Sequence, residues 1–253
     1  MEDRPAKTIT YSGRSVTFPD LPDQRSFLAE LEAGRWDGAG LFEFIARYVD
    51  PETVYVDIGA WIGVSPFWAA QQAKMVIAVE PDPVCIDVLK AMQELNASPV
   101  TVVDAALSIG DELTLHAVGG LGSSLTSAVH GDSGGSFSAR GVSLQQLVAM
   151  AQGAPLCIKI DIEGYEYHLA EQLAAVPPDQ TKAILISLHP RFFLDSQKGG
   201  WMKRRLETAK ATVRLARALP AFRLRNRQAL ARVLLSLIFE RRPVHRDILF
   251  TPA

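Results

Sequence analysis

The sequence predicts an α/β fold, a mostly parallel sheet covered by helices on both faces. Three observations carry the prediction. Short apolar runs alternate with amphipathic helical patterns, the turns between them are short, and four of the runs close on an acid. A chain of 253 residues is long enough to bury a substantial core, and its formal net charge of -2 and ordinary composition are those of a soluble globular protein.

The first 50 residues, with "GRWDGAGLFEFIARYV" at 34–49, read as an extension holding a hairpin and an amphipathic helix. The main domain, 51–253, opens with the strand "TVYVDI" (53–58). "VSPFWAAQQA" (64–73) is helical, with Pro66 in the first turn, where its missing N–H is not needed. "MVIAVE" (75–80) is a second strand. "PVCIDVLKAMQEL" (83–95) places Val84, Val88, Met92 and Leu95 on one helical face, with Asn96 near the C-cap. "VTVVDA" (100–105), "LCIKIDI" (156–162) and "KAILISLH" (182–189) are further strands, and "EYHLAEQLAAV" (166–176) is a helix. Between them, "GGLGSSLTSAVHGDSGGSFS" (119–138) has the composition of a loop over the sheet rim. "MKRRLETAKATVRLARAL" (202–219) is a helix ending at Pro220, with Leu206, Ala209, Val213 and Ala216 as its apolar stripe. Leu230, Val233, Leu234, Leu237 and Ile238 form a second stripe.

Several function classes are excluded. The polar start "MEDRPAKTIT" is not a secretory signal, and the apolar stretch 229–239 is too short to span a bilayer and contains Arg232. Cys85 and Cys157 give neither a disulfide framework nor a zinc spacing, so buried thiols in a reducing cytoplasm are expected. There is no Walker A sequence. The turn after the first strand reads G-x-x-x-G, not the G-x-G-x-x-G of a nicotinamide dinucleotide site.

In open parallel sheets, ligands bind beyond the carboxyl ends of the strands, where the strand order reverses. Asp57, Glu80, Asp104 and Asp161 each close a strand and would line one such rim. Carboxylates there suit ribose hydroxyls, each charged hydrogen bond being worth about 1.5–3 kcal/mol. Asp57 beside the glycine turn opposes a pyrophosphate but favours the cationic amino and sulfonium groups of S-adenosylmethionine. Gly59 is expected to let the backbone touch the methionine part of that cofactor.

"VDIGAWIGVS", "AVEPDP" (78–83), "VVDAALS" (102–108), "ELTLH" (112–116) and "IKIDIEGYE" (158–166), in this order, resemble the FkbM-type methyltransferases. The resemblance spans roughly residues 50–190, with "RDILFTP" (246–252) as a closing strand. It implies a class I, Rossmann-like fold: seven strands, mostly parallel, with a reversed last strand. It also implies S-adenosylmethionine as methyl donor, S-adenosylhomocysteine as product, and O-methylation of a hydroxyl on a sugar, glycolipid or natural product. Carried over by position, Asp57, Gly59, Ala60, Trp61 and Gly63 fall on the methionine side. Glu80 falls on the ribose with Pro81 and Asp82 beside it, Asp104 and Ala105 near the adenine, and Asp161 toward the methyl. Trp61 stands where the family pattern has Asn.

A hydroxyl acceptor must lose a proton, to a base or with a metal's help. His189, ending the fifth strand, is the first candidate base. Lys159 shares a strand face with Asp161 and is either catalytic or ion-paired to a neighbouring acid. Glu163 reads as a cap for the following helix, and His168 as a core or surface group. Asp161 with Glu163 or His189 is the candidate set for Mg²⁺.

Residues 198–246 carry 14 Lys and Arg against two acids, Glu207 and Glu240, while the rest of the chain carries 12 against 26. This basic helical insertion before the last strand suggests peripheral contact with an anionic membrane or a lipid-linked acceptor. Few aromatics interleave with the charges, which argues against nucleic acid. The alternative readings are an RNA methyltransferase, on the strength of the basic segment, and a non-catalytic adenosine-binding module.

Overall fold

A computed structural model describes residues 6–36, 39–129, 131 and 135–253. Residues 1–5, 37–38, 130 and 132–134, which belong to the N-terminal and Gly/Ser-rich readings above, lie outside the described residues. The chain opens with an antiparallel hairpin, β1 (Ala6–Tyr11) and β2 (Arg14–Pro19), then α1 (Arg25–Glu32) and α2 (Ala39–Tyr48). Next come β3 (Val54–Ile58), α3 (Val64–Ala69), β4 (Met75–Glu80), α4 (Pro83–Asn96) and β5 (Val100–Asp104). A small second sheet follows, from β6 (Ala106–Leu107), β7 (Glu112–Ala117), β8 (Thr126–Ser127) and β9 (Ser136–Val142). The remaining elements are α5 (Leu144–Met150), β10 (Leu156–Ile160), α6 (Ala170–Ala174), β11 (Thr181–Leu188), α7 (Pro190–Ser196), α8 (Trp201–Ala216), β12 (Phe222–Leu224), α9 (Arg227–Phe239) and β13 (Arg246–Pro252).

The main sheet has seven strands in the order β12-β13-β11-β10-β3-β4-β5. The pairings among β5, β4, β3, β10 and β11 are parallel, and β13 runs antiparallel between β11 and β12. This is the expected class I layout with its reversed strand. From β3 the chain moves outward through β4 to β5, then returns to the other side of β3 as β10. The crevice beyond the carboxyl ends of β3 and β10 is therefore the topological switch point.

Alternate residues of each strand feed two cores. Val56, Ile77, Ile158, Ile184 and Ile186 pack under α5, α6, α8 and α9. Tyr55, Val76, Ala78, Cys157 and Leu185 face α3, α4 and the N-terminal elements, sharing one cluster with Ile9, Val16, Phe18, Leu28 and Ile45. Both cysteines are buried and unpaired.

Two elements depart from the pattern reading. The helix expected over 166–176 is broken: a 3₁₀ turn at Tyr165–His168 precedes the short α6. Gly164 enters with φ 101°, and the Glu166 carboxylate turns back to accept from its N–H at 2.8 Å, in a backbone path no straight helix follows. On α8 the buried residues are Arg205, Thr208, Thr212 and Leu215, not the stripe from Leu206 to Ala216. The threonine hydroxyls donate to the carbonyls of Arg204 and Thr208 one turn back, which is how these two polar side chains are buried with partners.

Candidate active site at the sheet switch point

A cavity of about 300 Å³ opens beyond β3 and β10. Gly59, Ala60, Trp61, Glu80, Pro81 and Ala105 line one part of it, and Lys159, Asp161 and Glu163 another. Leu107, Leu113 and Leu115 add apolar wall from the small sheet. The N-terminal extension contributes Phe27, Trp36 and Leu41, and the Gly/Ser-rich segment contributes Ser123, Ser124 and Thr126. Both regions therefore form walls of the cavity as well as packing on the domain.

The turn after β3 is fixed from both sides. Gly59 has φ 81°, and a Cβ there would lie 1.8 Å from the carbonyl oxygen of Asp161. Its lack of a side chain is thus required by the neighbouring strand, where the sequence had suggested a ligand. Gly63 has φ 88° as the N-cap of α3, and a Cβ there would meet the Phe67 ring at 2.8 Å; it does not line the cavity. Glu80 is buried and holds the turn: Oε2 accepts from the Trp61 N–H at 2.8 Å and Oε1 from the Asp82 N–H at 2.9 Å. Burial raises its pKa to about 7, against the stabilising backbone N–H groups.

Trp61 serves as a wall between segments. Its indole N–H donates to the Gly122 carbonyl at 3.0 Å, and its ring meets Phe27 edge-on at 4.7 Å. Asp82 is fully buried and faces away from the cavity. One oxygen caps α4 through the N–H groups of Val84 and Cys85, while the other accepts from Gly122 N–H at 2.8 Å and the Thr126 hydroxyl at 3.3 Å. The Asp104 side chain is exposed and off the cavity, which Ala105 lines in its stead.

Lys159 is the ion-paired group of the two alternatives. Nζ lies 3.0 Å from Asp57 Oδ1 and 3.6 Å from Asp161 Oδ2, and donates to the Gly59 carbonyl at 2.8 Å. Burial by itself would lower its pKa, but the carboxylates of Asp57 and Asp161 outweigh that, so the net shift is upward and it stays charged. Asp57 is fully enclosed by this pair and by the Ser65 hydroxyl, so it acts on the site through Lys159.

His189 sits behind the cavity wall, its side chain only 9% exposed. Nε2 is 3.4 Å from Asp161 Oδ1 and 3.6 Å from Glu163 Oε1, and Nδ1 is 3.5 Å from Glu166 Oε1. Burial disfavours its charge, yet Glu166, Glu163 and Asp161 outweigh burial and raise the pKa to about 10. His189 is thus biased toward its charged form and lies off the cavity, whereas the expectation was of a base that reaches the acceptor. The same geometry bears on Mg²⁺. Ligand atoms of Asp161, Glu163 and His189 lie within 4.8 Å of one another, so the side chains expected to offer ligands to Mg²⁺ are brought together.

Glu163 is the group that the sequence reading took for a helix cap or a metal ligand. Its φ of 51° turns the chain so that the carboxyl lines the cavity, not a helix N-terminus. Its Oε2 is buried with no hydrogen-bond partner, and burial raises its pKa to about 7. The available signal was the D-x-E spacing at the strand exit. His168 is exposed beside Tyr165 and Phe193 and lies off the cavity.

No family model and no curated protein matches the chain. Among solved structures it is similar to an rRNA methylase from Streptococcus thermophilus, at 9% identity and TM-score 0.45, covering 84% of this chain and 94% of that one. It is similar to the T. thermophilus 16S rRNA N2 G1207 methyltransferase, solved with AdoMet and guanosine, at 17% identity and TM-score 0.45. That match covers 98% of this chain but half, 50%, of the other. M. jannaschii TYW2, solved with AdoMet, is similar at 12% identity and TM-score 0.42, covering 100% of this chain and 89% of that one.

Proposed function

We propose that the protein is an S-adenosylmethionine-dependent methyltransferase acting on a hydroxyl of a small-molecule, sugar or glycolipid acceptor. The observation that carries this reading is the cavity at the switch point, with the Glu80 carboxylate in one wall and a cluster of acids, Asp161 and Glu163, in another.

Each Glu80 oxygen spends one lone pair on a backbone N–H and keeps another for a ribose hydroxyl. Ala105 and Leu107 offer an apolar slot for a base. Asp161, held between Lys159 and His189, presents its carboxylate where a cationic sulfonium and amino group would be favoured. The bound cofactor supplies an electrophilic methyl. The acceptor oxygen would receive that methyl, and sulfur would keep the electron pair of the broken carbon–sulfur bond. Glu163 takes the proton released from the acceptor hydroxyl, with the His189 imidazolium fixing its other oxygen. Orientation of the acceptor supplies much of the rate, up to about 7–11 kcal/mol.

Calorimetry with S-adenosylhomocysteine tests the cofactor half. Glu80→Ala should weaken binding at least tenfold, about 1.4 kcal/mol. Unchanged affinity in a variant with a wild-type melting profile would remove Glu80 from the site. Transfer of labelled methyl to RNA, with none to hydroxyl acceptors, would overturn the acceptor class while leaving the cofactor reading standing.

A further inference from the structure

Helices α8 and α9 expose at one end what helices ordinarily bury. Trp201, Met202 and Leu206 at the start of α8 are 63%, 75% and 55% exposed; Leu235, Ile238 and Phe239 at the end of α9 are 48%, 62% and 78% exposed. The two helix ends are joined by Arg205. Its buried guanidinium donates to the carbonyls of Leu237, Glu240 and Arg241 at 2.5, 2.7 and 3.1 Å, and lies 4.7 Å from the Trp201 ring centre. Arg205 thus brings the two helix ends, each with three exposed apolar side chains, close together. Contiguous exposed apolar groups of this size mark an interaction site.

The unpaired charge around the surface has one sign. Lys198, Lys203, Arg241 and Arg242 are exposed and form no ion pair among the described residues. The nearby acids are already taken: Asp195 by Arg204, Glu207 by Lys210 and Glu240 by Arg232. Position adds a third fact. Helix α7 starts directly after β11, and the segment following α9 leads into β13, whose first residue Arg246 pairs with Leu188. In that segment His245 stacks on His189 at 4.5 Å. Both ends of the helical insertion are thus tied to the sheet edge at which the cavity opens.

We propose that this surface docks on an anionic lipid bilayer. Trp201, Met202, Ile238 and Phe239 would enter the boundary between headgroups and acyl chains, with Lys198, Lys203, Arg241 and Arg242 on the anionic headgroups. A second copy is disfavoured, because a two-fold contact would set four unpaired cations against four more. Nucleic acid fits less well, since aliphatic Met202, Leu206, Leu235 and Ile238 outnumber the two aromatic rings available for stacking. The inference does not depend on the methyl-transfer reading.

The full chain is sedimented with vesicles of phosphatidylcholine alone and of phosphatidylcholine mixed with phosphatidylglycerol. It should pellet with the anionic vesicles, and less so as salt is raised. Two sets of surface variants, Ile238→Ser with Phe239→Ser, and Lys203→Glu with Arg241→Glu and Arg242→Glu, should each reduce pelleting at least tenfold. Both should retain the wild-type melting profile and product affinity, which separates this test from the cofactor test. Equal, negligible pelleting with both vesicle types would overturn the proposal, as would variants that pellet like wild type. RNA binding abolished by the charge variants, or a dimer in sedimentation velocity abolished by the apolar ones, without vesicle binding, would assign the surface to those partners instead.

Discussion

Glu163 combines three properties that a proton acceptor needs: it lines the cavity, one of its oxygens is unpartnered, and burial lifts its pKa to about 7. The sign of the pH dependence follows. Below pH 7 the carboxyl carries a proton and cannot take another, so the single-turnover rate should rise with pH through about 7 and level off above. Glu163→Gln should lower that rate by about 10²–10⁴-fold and abolish the rise, with affinity for S-adenosylhomocysteine unchanged. A variant with the wild-type rate and profile would remove Glu163 from the proton transfer. At this scale the sequence marked the acids but not their duties. Asp57, Glu80, Asp104 and Asp161 share a strand-end position, yet Asp57 faces Lys159 and Asp104 is exposed off the cavity, a distinction that depends on side-chain direction. His189 was placed at the correct end of its strand. Its charge was not legible, because Glu166, which raises its pKa, lies 23 residues away in the chain.

Asp82 joins two elements, helix α4 and the segment at 119–126, through opposite oxygens of one carboxylate. Gly122 is also held by the Trp61 indole and, at 3.4 Å, by the Gln24 amide. Asp82→Ala should therefore have two separable effects. Loss of the helix cap should cost about 0.5–2 kcal/mol in chemical denaturation. Release of the segment should speed proteolytic cleavage within 119–126 by more than that global loss explains. Cleavage no faster than the stability change accounts for would mean that the Trp61 and Gln24 contacts suffice. Elements were legible where one interaction dominates. The sheet strands are apolar runs buried on both faces, and Asp82-Pro83 is a helix start written locally. The α8 face was illegible because Arg205 is solvated by carbonyls at the end of α9, and those carbonyls carry no side-chain signature in the sequence.

Over the whole molecule, the N-terminal hairpin and α1 are not an appendage. Phe18 and Ile9 share a core with Tyr55 and Cys157, and the Tyr11 hydroxyl donates to the Val64 carbonyl at 2.7 Å. The order of strands also has a meaning in time. β3, β4 and β5 are consecutive in the chain and come together through local crossovers, whereas β10 must close a far longer loop to reach β3; the bond from Lys159 to Gly59 spans 100 residues. Loop closure of that kind is the slow part of folding. Glu80 therefore takes its place early, and Asp161 with Glu163 arrives only when the return strand docks. In stopped-flow refolding, the capacity to capture S-adenosylhomocysteine should lag behind the first rise of β-sheet circular dichroism, and capture keeping pace with that rise would refute this order. The switch point that makes the crevice is also the last seam to close, so the ligand is recognised by a chain that has finished folding, and its capture acts as the clock that records the moment.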